Sequence, residues 1–341
     1  MSNQTFGDAY AVTMFSFTNE ILRANRTPVQ LVRELLESGI TKNIEVDGPQ
    51  HFRGYPNHDV SESQQLREVV ASGGGRCTLL GGYADRALGS KILNSDSIVS
   101  SIAAQLQVAS RMGAYGLRVQ ADALTSNEAK SVASIARDSN VPILFELQGA
   151  MTPAAPATMA CLEVIESVDS DYVGMMFDSS LFMTAFPAPL RRAMSQRGLT
   201  EVMVQELEQR WLDSDLPAYR GWVMSQLQGG HLPPATGQFL PTLFSRMGHG
   251  RPSDWESLAP QVRSVQLKFW DQQDRDGALE STTTELMRML SAIGYEGFYC
   301  SEWGGHEWYS LDQVSAFDAV GWHRDLVERS WVRSNLGESN F

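Results

Sequence analysis

The chain has 341 residues, with 27 basic and 40 acidic side chains that give a formal net charge of −13. A hydrophobic fraction of 43% and a charged fraction of 20% are typical of a folded globular protein, and exclude a disordered chain, a collagen or a coiled coil. The acidic excess repels phosphate backbones, so we expect no nucleic-acid partner. No stretch approaches the roughly 18 consecutive apolar residues of a membrane span, and we expect no membrane partner.

The cysteine content and the N-terminal residues indicate the cellular compartment in which we expect the protein. Cys77, Cys161 and Cys300 are too few and too scattered for a disulfide framework. Met1 to Asn19 lacks the basic start and long apolar run of a secretory signal peptide. Both features favour the reducing cytoplasm.

Short strand-like runs alternate with helical patterns along the whole chain. Eight short apolar strands are predicted, at 15–18, 43–46, 77–80, 116–121, 143–147, 173–177, 265–269 and 298–301. Helical spacing of apolar residues predicts helices at 28–38, 61–71, 95–112, 126–137, 159–167, 202–212, 283–293 and 311–331.

This alternation predicts an α/β fold, a (β/α)8 TIM barrel in a single domain of residues 1–341. The predicted strand starts lie 27 to 39 residues apart, except for a gap of 92 between strands six and seven. The long gap predicts an insertion at 187–260 on the catalytic face, acting as a lid or an assembly surface. A doubly wound sheet is the alternative, but no GxGxxG motif follows the first strand.

Polar residues at the ends of predicted strands five to eight are the candidate site. Four apolar strands carry such a residue at or near their ends, where the catalytic residues of barrels lie: Glu146, Asp178, Gln266 and Glu302. Each residue alone also suits a helix cap or an ion pair. Three converging buried carboxylates need a cation, since an unpaired buried charge costs several kcal/mol. Their hard oxygen atoms favour Mn²⁺ or Mg²⁺ over zinc.

Further side chains are expected near this end of the barrel. Lys268 lies two residues after Gln266 and points to the same face, where it binds either the substrate or a carboxylate. Arg118 is expected to contact the substrate or Glu146. His306 follows Gly304-Gly305 and is a candidate acid/base. His58 and Trp303 are candidate substrate contacts, with a structural role as the alternative for each.

The strand ends resemble the xylose isomerase-like barrels of the sugar phosphate isomerase/epimerase superfamily. The resemblance rests on Phe145-Glu146, Phe177-Asp178, Val265-Gln266-Leu267-Lys268, and Gly294-Tyr295-Glu296-Gly297 leading to Ser301-Glu302. It implies that the four strand-end residues bind one divalent metal. It also implies that Glu146 and Glu302 exchange protons next to a substrate carbonyl, through a metal-stabilised enediolate.

Two positions depart from the pattern of this superfamily. The superfamily has His where Gln266 stands, and many epimerases have His at the position of Leu181. The alpha subunits of C-glycoside deglycosidases resemble this barrel too, and the long insertion and altered third ligand suit their bulky substrates. That resemblance implies β-elimination from a 3-oxo-C-glycoside, which cleaves a C–C bond.

The expected ligand is therefore a sugar or a sugar-derived small molecule. The expected protein partner is a small beta subunit or a second copy of the chain. A catalytically inactive binding barrel stays an alternative. Apurinic endonucleases share this barrel, but six histidines and a charge of −13 argue against DNA repair.

Overall fold

Eight parallel strands close into a barrel in the computed structural model, which describes residues 4–310 and 313–336. The strands are β1 (Tyr10–Thr13), β2 (Asn43–Asp47), β3 (Cys77–Gly81), β4 (Gly116–Gln120), β5 (Ile143–Leu147), β6 (Val173–Asp178), β7 (Val262–Phe269) and β8 (Phe298–Trp303). Strands that follow each other in sequence are neighbours in the barrel, and β8 pairs with β1. The prediction of a (β/α)8 barrel is confirmed.

Ten helices of at least nine residues surround and extend the barrel within the described residues. They are α1 (Pro28–Glu37), α2 (Val60–Ser72), α3 (Ser95–Met112), α4 (Ser126–Ser139), α5 (Pro156–Val168), α6 (Ala188–Gln196), α7 (Glu201–Asp213), α8 (Leu216–Gln228), α9 (Ala278–Ala292) and α10 (Ala316–Asn335). Thr27 and Thr125 form capping boxes that fix the starts of α1 and α4. None of the described helices combines the length and apolar character that a membrane crossing needs.

The first predicted strand, at 15–18, is wrong. The strand is Tyr10–Thr13, and Met14–Phe17 forms a 3-10 turn that the side chain of Thr13 caps. Aromatic and polar residues alternate in Phe15-Ser16-Phe17-Thr18, and this pattern is the same as that of a half-exposed strand. A parallel barrel strand is buried on both faces and appears in the sequence as a continuous apolar run, which Tyr10-Ala11-Val12 is.

The other seven strands are predicted within three residues at each end. The last helix begins at Ala316, whereas the prediction began at residue 311; residues 311 and 312 lie outside the described residues. The three cysteines are buried and free, as expected for a chain without a disulfide framework.

The long segment between β6 and β7 builds a hydrophobic cluster of its own. Helices α6, α7 and α8 lie in it, and its buried side chains include Leu190, Leu207 and Trp211. Trp308, in the loop after β8, packs against this cluster, and Arg246 forms an ion pair with Glu307. The segment therefore contacts the loop that carries His306. Its assignment as an insertion at 187–260 within one domain stays a prediction.

Two close backbone contacts attach the end of this segment to the barrel. Gly248 donates from its backbone N–H to the Ser180 carbonyl at 2.7 Å, and a Cβ at residue 248 would lie 2.2 Å from the carbonyl oxygen of Gly149. Gly149 has φ +61°, and a Cβ there would lie 2.0 Å from the Ser245 carbonyl oxygen. Only glycine allows this approach between the segment and the ends of β5 and β6.

Candidate active site at the C-terminal end of the barrel

Charged and amide side chains from six strands and the loops after them meet at one end of the barrel. Asp178 and Gln266 are fully buried and lie opposite each other in the pairing of β6 with β7. Glu302 and Lys268 are likewise opposite each other in the pairing of β8 with β7. Glu146 is the penultimate residue of β5 and pairs with Met176, two residues before Asp178. The four residues predicted from the sequence therefore lie at the same end of the barrel, where the charges of Glu146 and Glu302 act on Asp178.

Arg118 connects three carboxylates on one side of this cluster. Its guanidinium donates to Glu146 at 2.8 Å, to Glu45 at 3.0 Å and to Asp47 at 3.5 Å. The expected contact between Arg118 and Glu146 is thus present. Burial alone would lower the pKa of the guanidinium, but Glu146, Glu45 and Asp47 outweigh it and raise that pKa. Arg118 is a permanent positive charge in the site.

Lys268 connects two carboxylates on the other side. Its ammonium Nζ lies 2.5 Å from Glu302 Oε1 and 3.4 Å from Asp178 Oδ2. Burial would lower the pKa of this ammonium, but Asp178 and Glu302 raise it well above its ordinary value. Ser179 fixes the Lys268 backbone, since its hydroxyl accepts from the Lys268 N–H at 2.7 Å. Lys268 is the second permanent positive charge.

The two carboxylates beside Lys268 differ in their ionisation. Burial would raise the pKa of the Glu302 carboxyl, but Lys268 and Arg118 lower it below its ordinary value. Burial raises the pKa of the Asp178 carboxyl to about 6, and the charge of Lys268 offsets only part of that shift. Glu302 is therefore ionised at neutral pH. Asp178 takes up a proton when the pH falls to about 6, in mildly acidic solution.

Gln266 occupies the position where the superfamily pattern has His. Its side-chain N–H donates to Glu45 Oε1 at 2.8 Å. This bond fixes the orientation of the amide, and the carbonyl oxygen Oε1 is left buried without a hydrogen-bond partner. An orphaned buried acceptor of this kind is rare and needs a donor or a cation.

Glu45 and Asp47 are the site residues that the sequence interpretation missed. They alternate along β2 in Asn43-Ile44-Glu45-Val46-Asp47, so both point to one face of the strand. Burial raises the pKa of the Glu45 carboxyl to about 7 and also raises that of Asp47. The rule that identified strands five to eight, a polar side chain at a strand end, would also have found these two.

His306 lies at the rim of the cluster, half-buried in the loop after β8. Its ring packs edge-on against Phe15 at 4.8 Å between centroids. Burial lowers the pKa of His306 to about 4, although the nearby Glu302 acts in the opposite direction. The imidazole is therefore neutral at pH 7 and keeps a basic nitrogen. Its proposed acid/base role stays a prediction.

Two predicted substrate contacts have surroundings that favour packing. His58 stacks on Phe52 at 4.2 Å, and the charged groups that act on it are those of Glu62, Arg111 and Asp59 rather than the site. The described contacts therefore do not bring His58 into the cluster. Trp303 is fully buried, and its indole N–H donates to the Trp270 carbonyl at 3.2 Å. Roles in substrate binding stay predictions for both residues.

The donor chemistry of the cluster fits a hard divalent cation. Five carboxylates, those of Glu45, Asp47, Glu146, Asp178 and Glu302, face two cationic side chains, which leaves an excess of three negative charges when all are ionised. The orphaned Gln266 oxygen adds a neutral ligand. Nevertheless, within 4–310 and 313–336 no three His, Cys, Asp or Glu side chains are grouped so that they could hold a metal ion. A bound cation therefore needs the Gln266 oxygen, or a shift of Lys268 away from Asp178 and Glu302.

The chain is similar in sequence to deglycosidase subunits. The chain is 23% identical to the C-glycoside deglycosidase alpha subunit of Arthrobacter globiformis over 327 residues, covering 95% of this chain and 92% of that protein. It is 24% identical to the 3'-dehydrocarminate deglycosidase alpha subunit of a Microbacterium species, covering 93% and 94%. The chain is therefore similar, over nearly its whole length, to C-glycoside deglycosidase alpha subunits. No protein-family model matches it.

Comparison with solved structures confirms the fold. L-ribulose 3-epimerase superposes with a TM-score of 0.54 at 12% identity, covering 98% of this chain and 99% of that chain. A xylose isomerase domain protein from Planctomyces limnophilus gives a TM-score of 0.54 at 11% identity, covering 98% and 100%. The resemblance to xylose isomerase-like barrels is thus confirmed, and at this identity it concerns the fold alone.

Proposed function

We propose that the chain is the catalytic, alpha-type subunit of a carbon–carbon lyase that acts on C-glycosides carrying a ketone on the sugar. The observation that carries the proposal is similarity along nearly the whole chain to deglycosidase alpha subunits, together with acids and fixed cations at the catalytic end of the barrel. The name of one of these relatives, the 3'-dehydrocarminate deglycosidase alpha subunit, specifies a 3'-dehydro substrate. A ketone of that kind makes the neighbouring C–H acidic.

The proposed reaction is a β-elimination. A base takes the proton from C2 of the 3-oxo sugar, and the electron pair passes into the ketone as an enolate. The ketone then re-forms, a C1–C2 double bond appears, and the bond from C1 to the aglycone breaks. The aglycone carbon keeps the electron pair and takes a proton from an acid. No oxidant is consumed, because the substrate enters already oxidised.

Three side chains are the proton-transferring groups of this proposal. Glu146 on β5 and Glu302 on β8 are separated around the barrel by β6 and β7, so they reach a substrate between them from two sides. His306 is neutral at pH 7 and lies next to the Glu302 loop. Glu302, which is ionised at neutral pH, removes the C2 proton. The proton that it gains passes to the aglycone carbon, directly or through Glu146 or His306.

Lys268 and Arg118 hold positive charge where the enolate forms. Both cations stay charged at every physiological pH, and both are buried, so their field is little screened by water. A divalent cation such as Mn²⁺, bound by Glu146, Asp178, Gln266 and Glu302, would supply Lewis-acid polarisation of the substrate oxygens. Lys268 then donates a hydrogen bond to the ketone oxygen as its negative charge grows.

The names of the two relatives suggest that the chain works with a second subunit. Both relatives are named alpha subunits. We extend this to the present chain: a smaller beta subunit completes the enzyme, with a homo-oligomer as the alternative. The segment at 187–260, which contacts the loop of His306, is the surface at which such a partner would influence the site.

The test is release of free aglycone from a 3-oxo-C-glycoside. The chain is assayed alone and with the beta subunit that accompanies its Arthrobacter globiformis relative, and the aglycone is measured by chromatography. Glu302→Gln should lower the rate by at least about a hundredfold, as expected for loss of a general acid/base group. Glu296→Gln is the control, because Glu296 is exposed in the loop before β8, at the opposite end of the strand.

Two results would change the proposal. Recovery of the substrate as an epimer or an isomeric keto sugar, without aglycone, would favour the isomerase/epimerase alternative. Equal rates for Glu302→Gln and wild type would exclude the assigned proton transfer.

A further inference from the structure

Lys268 occupies the space between two of the four candidate metal ligands. Its side chain is 5% exposed, and its ammonium binds Glu302 at 2.5 Å and Asp178 at 3.4 Å. These carboxylates end β6 and β8, the strands on either side of the strand that carries Lys268. A single flexible side chain thus supplies the positive charge that both carboxylates require.

A metal ion and this ammonium cannot share Glu302 without strong repulsion. A Mg²⁺-sized ion bonded to the same oxygen at about 2.1 Å would lie at most about 4.6 Å from Nζ, given the 2.5 Å contact of the ammonium. Both charges would be buried, where repulsion is little screened. The finding that no three acidic or histidine side chains are grouped to hold a metal, within the part of the chain that the structure describes, agrees with a site that Lys268 divides.

The structure also provides a position to which the ammonium can withdraw. The ring of Phe15 lies 5.7 Å from Nζ, and that of Trp270 lies 5.9 Å from it, both within the range of cation–π attraction. The four-carbon stem of lysine permits a small swing from the carboxylates towards these rings. Displacement therefore retains a favourable partner for the charge.

Because Gln266 is a weak metal ligand, the ammonium of Lys268 can compete with a metal ion for the site. The bond from its N–H to Glu45 at 2.8 Å leaves its buried carbonyl oxygen as a neutral ligand. A neutral amide oxygen binds a transition-metal ion more weakly than an imidazole does. Gln266 therefore adds little to the metal affinity that is needed to displace Lys268.

We propose that Lys268 is a resident competitor of the divalent cation, and that it sets how tightly the site binds metal. Mn²⁺ binds when Lys268 leaves Asp178 and Glu302, so the wild-type site binds Mn²⁺ weakly. Removal of the ammonium then increases the affinity. The inference rests on the cation site included in the proposed function, but not on the reaction itself.

The experiment is a titration with Mn²⁺, without substrate, followed by calorimetry and by the electron paramagnetic resonance signal of free Mn²⁺. Lys268→Met removes the charge and keeps most of the length of the side chain, and it should bind Mn²⁺ at least about tenfold more tightly than wild type, a change of about 1.4 kcal/mol. Lys268→Arg keeps the charge and should stay near the wild-type affinity. Lys268→Met combined with Asp178→Asn should lose the gain.

Sub-micromolar Mn²⁺ binding by wild type would overturn the proposal, and so would equal affinities for wild type and Lys268→Met. Should Lys268→Met fold poorly without metal, Lys268→Gln replaces it, and the rise in melting temperature with Mn²⁺ is compared with that of wild type. A larger rise for the variant supports the competition, and an equal rise refutes it. Failure of the proposed lyase reaction appears separately, in the aglycone assay.

Discussion

Replacement of Arg118 by Met tests the electrostatic account of the site. The change keeps most of the side-chain volume but removes the charge that pairs with Glu146, Glu45 and Asp47. At an effective dielectric constant of about 20, each contact near 3 Å is worth about 5–6 kcal/mol of attraction before desolvation. Since burial of the charges offsets most of this, we expect a loss of about 3–5 kcal/mol, typical when one partner of a buried ion pair is removed.

The assay is urea unfolding at about pH 7.5 and at about pH 5.5, compared with wild type. Arg118 lowers the pKa values of Glu45 and Asp47 in the folded protein, so without it these pKa values rise and the folded variant binds more protons than the folded wild type. Its free energy of unfolding then falls more steeply as the pH rises, and the gap to wild type should narrow at the lower pH.

Arg26→Met is the matched control. Arg26 pairs with Glu34 at 3.2 Å, and both side chains are about 40% exposed. Such a surface pair is worth about 0–1 kcal/mol. A loss of less than about 1 kcal/mol for Arg118→Met, similar to the control, would refute the account. A gap that stays constant between the two pH values would also contradict it.

Two further variants test a titrating group and a backbone contact. Glu45 has a folded pKa raised to about 7 from an ordinary 4.5, so it destabilises the fold as the pH rises through that window, by about 3 kcal/mol in total. Glu45→Gln should lack that component of the pH dependence in urea unfolding, and an unchanged slope would contradict the shift. Gly248→Ala should lower the free energy of unfolding by about 1–3 kcal/mol, because its Cβ would lie 2.2 Å from a carbonyl oxygen. Gly237→Ala is the control, since no atom lies within 4 Å of its Cβ, and equal melting temperatures for the two variants would contradict the contact.

The barrel was predictable because its strands are short apolar runs, most of which start 27 to 39 residues apart, and because strands five to eight each carry a polar residue at or near the end. Glu146, Asp178, Gln266 and Glu302 followed from that pattern alone. The error at the first strand arose where a 3-10 turn carries alternating aromatic residues, and Phe15 turned out to lie against His306 instead of in a strand. The local sequence pattern does not distinguish this 3-10 turn from a strand, because the burial of Tyr10–Thr13 depends on pairing with β8 and β2.

The pairing within the site could be predicted only in part: a contact of Arg118 with Glu146 was expected, but its contacts with Glu45 and Asp47 were not. The interpretation required a cation for converging carboxylates, and the structure shows two, on Arg118 and Lys268. Which carboxylate each cation binds depends on the register of β7 with β6 and β8, a long-range property. Glu45 and Asp47 alternate visibly along β2, but their role depends on the reach of Arg118 across the barrel.

Hydrogen exchange at the substrate carbon tests the central claim most directly. The chain is incubated in deuterium oxide with a sugar that carries a ketone at C3, and deuterium at C2 is followed by nuclear magnetic resonance. The account predicts exchange that depends on the protein and is lost in Glu302→Gln but not in Glu296→Gln. Absence of exchange by the folded protein, with Mn²⁺ and the beta subunit present, would contradict proton removal next to the ketone.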